Sequence, residues 1–289
     1  VRAQPPHPAS PPLGGEEHDN EEKGIKTMAI RQNVMKAAMQ SGRTVASFNV
    51  NRWRSVDAAE IAKFAGFEWM FLDLEHSTLS EDLAGQMSIT ALATGVTPIA
   101  RVGMDQFYQA ARLLDAGAQG IVLPHVDTVE QATLAAAATK YPPMGTRSLT
   151  SPLAQAEFQR SGDPQSLAQL NAETLTIVMI ETRTAVANAA AIAAVPGVDA
   201  LMIGTSDLTA DFGIPGNQGH ADIAAAYATV GAACKASGKF FGMGGVYSRE
   251  LIEKFLKHGV QFLLGGADVS FVMDGAKARR EMIAAAGKA

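Results

Sequence analysis

From residue 44 onward the chain repeats one unit: a short apolar run, a polar or glycine-bearing turn, then a stretch with helical periodicity. Eight such runs occur, TVASFN (44 to 49), EWMFLDL (68 to 74), TPIARV (97 to 102), GIVLPHV (120 to 126), LTIVMIE (175 to 181), ALMIGTSD (200 to 207), KFFGMGG (239 to 245) and QFLLGGAD (261 to 268). Most are continuously apolar, as strands covered on both faces of a parallel sheet must be. Helix-start residues precede the periodic segments at Ser55, Ser80 and Thr128. Glycines follow several of them, at Gly66, Gly95, Gly117, Gly238 and Gly259. Strict β–α alternation implies parallel strands joined by crossover helices, and eight units point to a closed (β/α)8 TIM barrel of the α/β class. An open doubly wound sheet is the alternative. A chain of 289 residues accommodates one barrel, which commonly takes about 250.

Two segments fall outside the repeat. Residues 1 to 27 combine proline, glycine and acids with hardly any apolar side chains, too little buried surface to offset the entropy of ordering. They are expected to be a disordered leader. The first methionine is Met28, and the barrel domain is expected over 28–289. The connection from about 140 to 174 is longer than an ordinary turn, so it is expected to carry some helix of its own and to lie over the barrel mouth.

Composition narrows the function. The net charge of −5 with no long basic run leaves no footprint for nucleic acid or an anionic membrane, and no apolar stretch reaches the ~18 residues of a membrane span. A small-molecule ligand and a cytoplasmic location are expected. Cys234 is the only cysteine, which excludes an intrachain disulfide or a cysteine zinc site. Its helical surroundings predict a buried, inert thiol.

In a parallel barrel the active site lies at the carboxyl ends of the strands. Polar residues stand where the apolar runs stop: Asp73, Glu75 and His76 after the second, Arg101 after the third, His125 after the fourth, Glu181 after the fifth, Asp207 after the sixth and Asp268 after the eighth. Glu181 and Asp207 end consecutive strands, which lie ~4.8 Å apart, so both carboxylates can reach one ion. Oxygen-only ligation suits a hard divalent cation, Mg2+ or Mn2+, with Co2+ a further candidate. Two protein ligands leave room for a 2-oxo acid to chelate through carboxylate and keto oxygens, the metal acting as Lewis acid towards an enolate. The competing interpretation is that both acids merely favour helix N-termini.

His76, with an unperturbed pKa of ~6.5, suits proton transfer. Arg101 stays protonated and suits charge stabilisation or an ion pair to Asp73 or Glu75. Backbone N–H groups of Gly204, Thr205 and Ser206, in the turn before Asp207, offer a cradle for a carboxylate.

Together these residues resemble the HpcH/HpaI family of class II pyruvate aldolases, over about residues 30 to 285. The motifs that carry the resemblance are AGFEWMFLDLEHS, the Arg101 strand end, LLDAGAQGIVLPHVDTVEQA, YPPMGTRS, the IET stretch at 180 to 182 and GVDALMIGTSDLTADFG. The resemblance implies a metal-dependent aldolase that cleaves or forms a carbon–carbon bond of a 4-hydroxy-2-oxo acid, giving pyruvate and an aldehyde. It makes His76 the catalytic histidine, Asp115 the aspartate that tunes it, Arg101 the transition-state arginine, Glu181 and Asp207 the metal ligands and Ser206 a substrate contact. It also implies a homohexamer with the last helix packed on a neighbour. The chain departs from the family at Met179, where a glutamine usually touches the pyruvate part of the substrate, and in reading GTSDL where GPADL is usual.

Three other functions remain open from the sequence. Oxaloacetate decarboxylation or citryl-type cleavage would use the same site. A Schiff-base aldolase needs a lysine inside the barrel, and Lys239 opens its strand at the wrong end. A barrel that binds a metabolite without turning it over is the non-enzymatic reading.

Overall fold

The computed structural model of the protein describes residues 30–160 and 162–287. Eight parallel strands close into a barrel in sequence order: β1 Val45–Val50, β2 Trp69–Asp73, β3 Thr97–Arg101, β4 Gly120–Leu123, β5 Leu175–Ile180, β6 Ala200–Gly204, β7 Phe240–Gly244 and β8 Phe262–Ala267. Each lies within an apolar run of the sequence. The leader expected over 1–27 lies outside the described residues.

The helices are α1 Val34–Gln40, α2 Ala58–Phe64, α3 Glu81–Thr94, α4 Phe107–Asp115, α5 Val129–Thr139, α6 Pro164–Glu173, α7 Arg183–Ala193, α8 Thr205–Asp211, α9 Ala221–Ser237, α10 Arg249–Leu256 and α11 Asp268–Ala286. Ser80 caps α3 through Leu83 N–H, and Thr128 forms a reciprocal capping box with Gln131 on α5. Gly95 and Gly238 end α3 and α9 in the left-handed conformation that glycine adopts at little cost. Ser55 does not start α2. The helix begins at Ala58 behind Asp57, whose carboxylate is drawn to the Trp53 indole at 2.8 Å.

Two apolar layers hold the barrel. Outward side chains of the strands pack on the helices, including Met70, Leu72, Ile121, Val178, Leu201 and Phe241. Inward ones, among them Trp69, Phe71, Ile99, Ile177 and Met202, fill the lumen. Met35 and Met39 of α1 join this inner cluster, so α1 plugs the amino-terminal end of the barrel. Asn33 fixes it there by donating to the carbonyls of Gln119 (3.2 Å) and Glu173 (2.9 Å).

The connection from 140 to 174 lies at that same lower end, not over the mouth. The reason is directional: α5 runs antiparallel to the strands, so it ends where β5 begins. Lys140 ties the segment down by donating to Asn171 O and by pairing with Asp199 at 2.7 Å. The connection does carry its own helix, a 3-10 turn at Ala154–Ala156 and then α6.

Cys234 is buried in α9, and burial pushes its thiol up to about 12. Alkylation by iodoacetamide at pH 8 is therefore expected only after unfolding. Mass spectrometry of native and urea-treated protein checks this, and rapid labelling of the native form would contradict the buried placement. Among the described residues no helix is long and apolar enough to cross a membrane.

Candidate active site

Side chains on a strand alternate between faces, so residues two apart share one. That period places Asp73 on the lumen side with Trp69 and Phe71, Arg101 with Ile99, and Glu181 with Ile177 and Met179. Polar groups at the carboxyl ends of β2, β3 and β5 are thus delivered into the upper lumen.

Arg101 is the hub. It is 7% exposed, and its Nε and Nη2 donate to both oxygens of Asp73 at 3.0 and 2.7 Å, while Nη1 lies 3.1 Å from Glu75. Its guanidinium stands over the Phe71 ring at 5.3 Å. Burial alone would disfavour the charged arginine, but Asp73, Glu75 and Glu181 outweigh it and hold the guanidinium above its ordinary value. For Asp73 burial pushes upward, and the Arg101 bonds and charge overcome it, leaving the carboxyl below the usual range. Asn51, on the loop after β1, donates to Asp73 at 2.9 Å. The Asp73 carboxylate also accepts from His76 N–H at 3.2 Å, which fixes the backbone carrying the histidine. The His76 imidazole itself is 62% exposed at the rim, with Nε2 3.8 Å from Glu75.

Glu181 is 2% exposed. Its Oε2 accepts from His125 N–H at 2.8 Å, and the His125 ring lies 3.4 Å away. His125 adopts a positive φ of 54°, uncommon outside glycine, and that turn directs its N–H towards the carboxylate. A side chain at Gly204 would overlap the Glu181 carboxyl. Burial pushes Glu181 up to about 7; the His125 contacts oppose this, and the charges of Asp207 and Glu75 reinforce it. Thr182, not Glu181, caps α7 by accepting from Ala185 N–H at 3.0 Å. This disposes of the capping interpretation for Glu181.

Glu181 and Asp207 therefore come together at the ends of paired strands β5 and β6. Two carboxylates, one of them buried with no Lys or Arg salt bridge among the described residues, form a donor set that fits a hard divalent cation. No cluster of three or more His, Cys, Asp or Glu suited to a metal occurs among the described residues, so water and substrate would complete the coordination.

A cavity of about 490 Å³ opens at this end of the barrel, lined among others by Asp73, His76, Arg101, Met179, Ser206 and Asp207. Met179 stands in its floor with Sδ 3.9 Å from Arg101 Nη1. Thr205 and Gly204 also line it. The Thr205 hydroxyl is committed to Tyr227 at 2.8 Å, so its side chain is structural.

One site expectation does not fit the single chain. Asp115 ends α4, at the barrel end opposite His76, and pairs with Arg147 at 2.7 Å. A helix antiparallel to the strands carries its last residue to their amino-terminal face, so Asp115 does not touch His76 within one chain. Sequence reasoning also missed partners. Asn51 and the backbone of His125 had no signal beyond being polar at strand ends. Asp268, polar at the end of the eighth run, has no role legible in the sequence. It accepts N–H bonds from Asn51, Arg52 and Trp53 at 3.1, 2.8 and 2.6 Å, tethering the β1 loop to the start of α11.

The closed parallel barrel thus carries an acid pair, a buried arginine and a rim histidine at the carboxyl ends of its strands. The chain belongs to the HpcH/HpaI aldolase/citrate lyase family, whose model matches residues 53–275. It is a carbon–carbon lyase of the aldolase kind. It is 38% identical over 231 residues to the 4-hydroxy-4-methyl-2-oxoglutarate aldolase cghB of Chaetomium globosum, covering 78% of this chain and 85% of that one. It is 36% identical to the 2-dehydro-3,6-dideoxy-6-sulfogluconate aldolase of Pseudomonas putida, covering 81% and 90%. Among solved structures, the HpcH/HpaI aldolase from Desulfitobacterium hafniense superposes with a TM-score of 0.80 at 26% identity, covering 86% of this chain and 95% of that one.

Proposed function

We propose that the protein cleaves, and in reverse forms, the C3–C4 bond of a 4-hydroxy-2-oxo acid, with pyruvate and an aldehyde as products and a divalent cation, Mg2+ or Mn2+, as cofactor. The observation that carries this reading is the pair Glu181 and Asp207 at the ends of paired strands beside Arg101, with Asp207 and Arg101 lining the cavity. In the cleavage direction a base takes the proton from the C4 hydroxyl, the C3–C4 bond breaks, and its electron pair moves towards the C2 oxygen. The aldehyde leaves, and a proton returned to C3 completes pyruvate.

Each residue has a part in that sequence. His76, exposed at the rim beside Glu75, exchanges the hydroxyl proton with solvent. Arg101, locked by Asp73, holds a fixed positive charge towards the C2 oxygen without reorganising. Gly204, Thr205, Ser206 and Met179 shape the seat for the 2-oxo acid. Glu181 and Asp207 would hold the cation, which when bound supplies Lewis-acid stabilisation of charge at the C2 oxygen. The exposed apolar side chains Val272, Met273, Met282 and Ile283 along α11 support a homo-oligomer, the hexamer that the resemblance implies, with sedimentation velocity as its check.

The deciding experiment is a pyruvate-release assay on a set of 4-hydroxy-2-oxo acids. EDTA is expected to abolish turnover, and Mg2+, Mn2+ or Co2+ to restore it. Undiminished turnover in metal-free buffer would overturn the metal assignment, and absence of pyruvate from every substrate would overturn the aldolase reading.

A further inference from the structure

Beyond the groups assigned above, the cavity carries a second arginine. Arg52 lies on the loop between β1 and α2 and lines the cavity, yet its guanidinium makes no hydrogen bond or ion pair among the described residues. Its neighbours are spoken for. Arg101 is held by Asp73 and Glu75 in a fixed orientation, His76 stands against Glu75, and Arg54 donates to Thr78 and to the carbonyls of Asn51 and Trp53.

The loop that presents Arg52 is held firmly. Its N–H is the middle one of the three that converge on the buried carboxylate of Asp268, and the side chain of Asn51 next to it is fixed on Asp73. The backbone under Arg52 is therefore immobilised from both the β2 and the β8 side, while the guanidinium is free. That combination presents a charged fork to a ligand at little cost in loop ordering.

Topology gives the direction of the ligand. In a closed ring of eight strands in sequence order, β1 stands opposite β5. A substrate whose 2-oxo acid end is seated at Glu181 and Asp207, after β5 and β6, extends its far end across the mouth towards the β1 loop. A cavity of about 490 Å³ has room for more than pyruvate. At that far end the group that meets the ligand is a planar guanidinium, whose donors match carboxylate or sulfonate oxygens in pairs.

We propose that Arg52 is a specificity-determining residue that binds an anionic group at the distal end of the substrate, so that the enzyme acts on 4-hydroxy-2-oxo acids whose aldehyde half is itself an acid. This rests on the aldolase reading for the placement of the 2-oxo end. It names what that reading leaves open, the chemistry of the aldehyde partner.

The test pairs two ligands of equal chain length on the full-length, Mg2+-loaded protein. By calorimetry 2-oxoglutarate, with its second carboxylate, is expected to bind about 10- to 100-fold tighter than 2-oxopentanoate, the scale of a charge-assisted hydrogen bond. In Arg52→Gln that preference is expected to vanish, and in Arg52→Lys to return in part, because lysine keeps the charge without the fork. Turnover adds a second readout. The ratio of kcat/KM between carboxylate-tailed and methyl-tailed 4-hydroxy-2-oxo acids should collapse in Arg52→Gln, mainly through KM. Equal binding of the two ligands by the unaltered protein, failure of both to bind, or a preference retained in Arg52→Gln overturns the proposal. Pyruvate release from both substrates with no effect at Arg52 leaves the aldolase reading standing while this one falls; no release from either fells the aldolase reading.

Discussion

Glu181→Gln is expected to reduce turnover by about 10³-fold or more, the scale lost when a group that stabilises transition-state charge is removed, without weakening the metal-free fold. The second half of that expectation follows from sign. Glu181 is a buried acid pushed up to about 7 from an ordinary value of 4.5, so ionisation is less favourable in the folded chain than in the unfolded one. The resulting penalty is absent below about pH 4.5, grows between there and 7, and is complete above it. Glutamine removes the charge while keeping an oxygen that accepts from His125 N–H. The metal-free variant should therefore melt at or above the parent at pH 8, and the difference should shrink at pH 5. Added Mn2+ should reverse the order at pH 8 by stabilising the parent alone. Thermal melts with and without Mn2+ at the two pH values check this. A variant that melts well below the metal-free parent at pH 8 would show Glu181 to be a structural acid.

The barrel was legible because its determinants are local. A strand covered on both faces must be apolar throughout, and TIVMI or ALMIG announces that in a handful of residues. The strand ends were legible for the same reason: a carboxylate closing such a run cannot be part of the apolar filling. That Glu181 and Asp207 stand at neighbouring strand ends followed from adjacency, since consecutive β5 and β6 pair.

What escaped depends on three-dimensional direction or on distant partners. Asp115 and the connection from 140 to 174 both follow a helix that runs down the outside of the barrel, and both arrive at the face away from the site. The alternation that places Glu181 at the top places the connection at the bottom, and it makes Asp115 a helix-end residue there; the role beside His76 came from the resemblance alone. The tether of Asp268 to residues 51–53 joins the loop after the first strand to the helix after the last, and nothing near either segment hints at the other. His125 illustrates a third kind of loss. Pro124 ends β4 early because it has no N–H to give the ladder, and the histidine after it turns left-handed and offers its own N–H to Glu181. Its backbone makes the contact with Glu181, and a side-chain motif does not reveal it.

Arg101→Ala is expected to remove both activity and a large part of the stability, because it leaves the Asp73 carboxylate, 2% exposed, and its neighbour Glu75 without their cation. Breaking a buried pair from one side typically costs about 3 to 5 kcal/mol. The pH dependence identifies the cause. Asp73 is held below its ordinary 3.8 by Arg101, so the stability it contributes is fully present above that value and is lost as pH falls through the lower folded one. Urea denaturation should then show the gap between parent and variant widest near pH 7 and narrowing as pH falls, first because Asp73 in the variant, buried without Arg101, takes up a proton, and then below its ordinary 3.8 because the parent loses its advantage. A gap that stays constant from pH 7 to 3.5 would assign the loss to packing against Phe71 instead. Arg101→Lys separates the two roles of the residue. One ammonium satisfies much of the charge but cannot span both oxygens of Asp73 and reach Glu75 together, so stability should recover in part. Turnover should not recover in proportion, since the geometry held towards the C2 oxygen comes from the bidentate lock. Proportional recovery of both would mean that the arginine contributes charge alone, and that its fork has no part in catalysis.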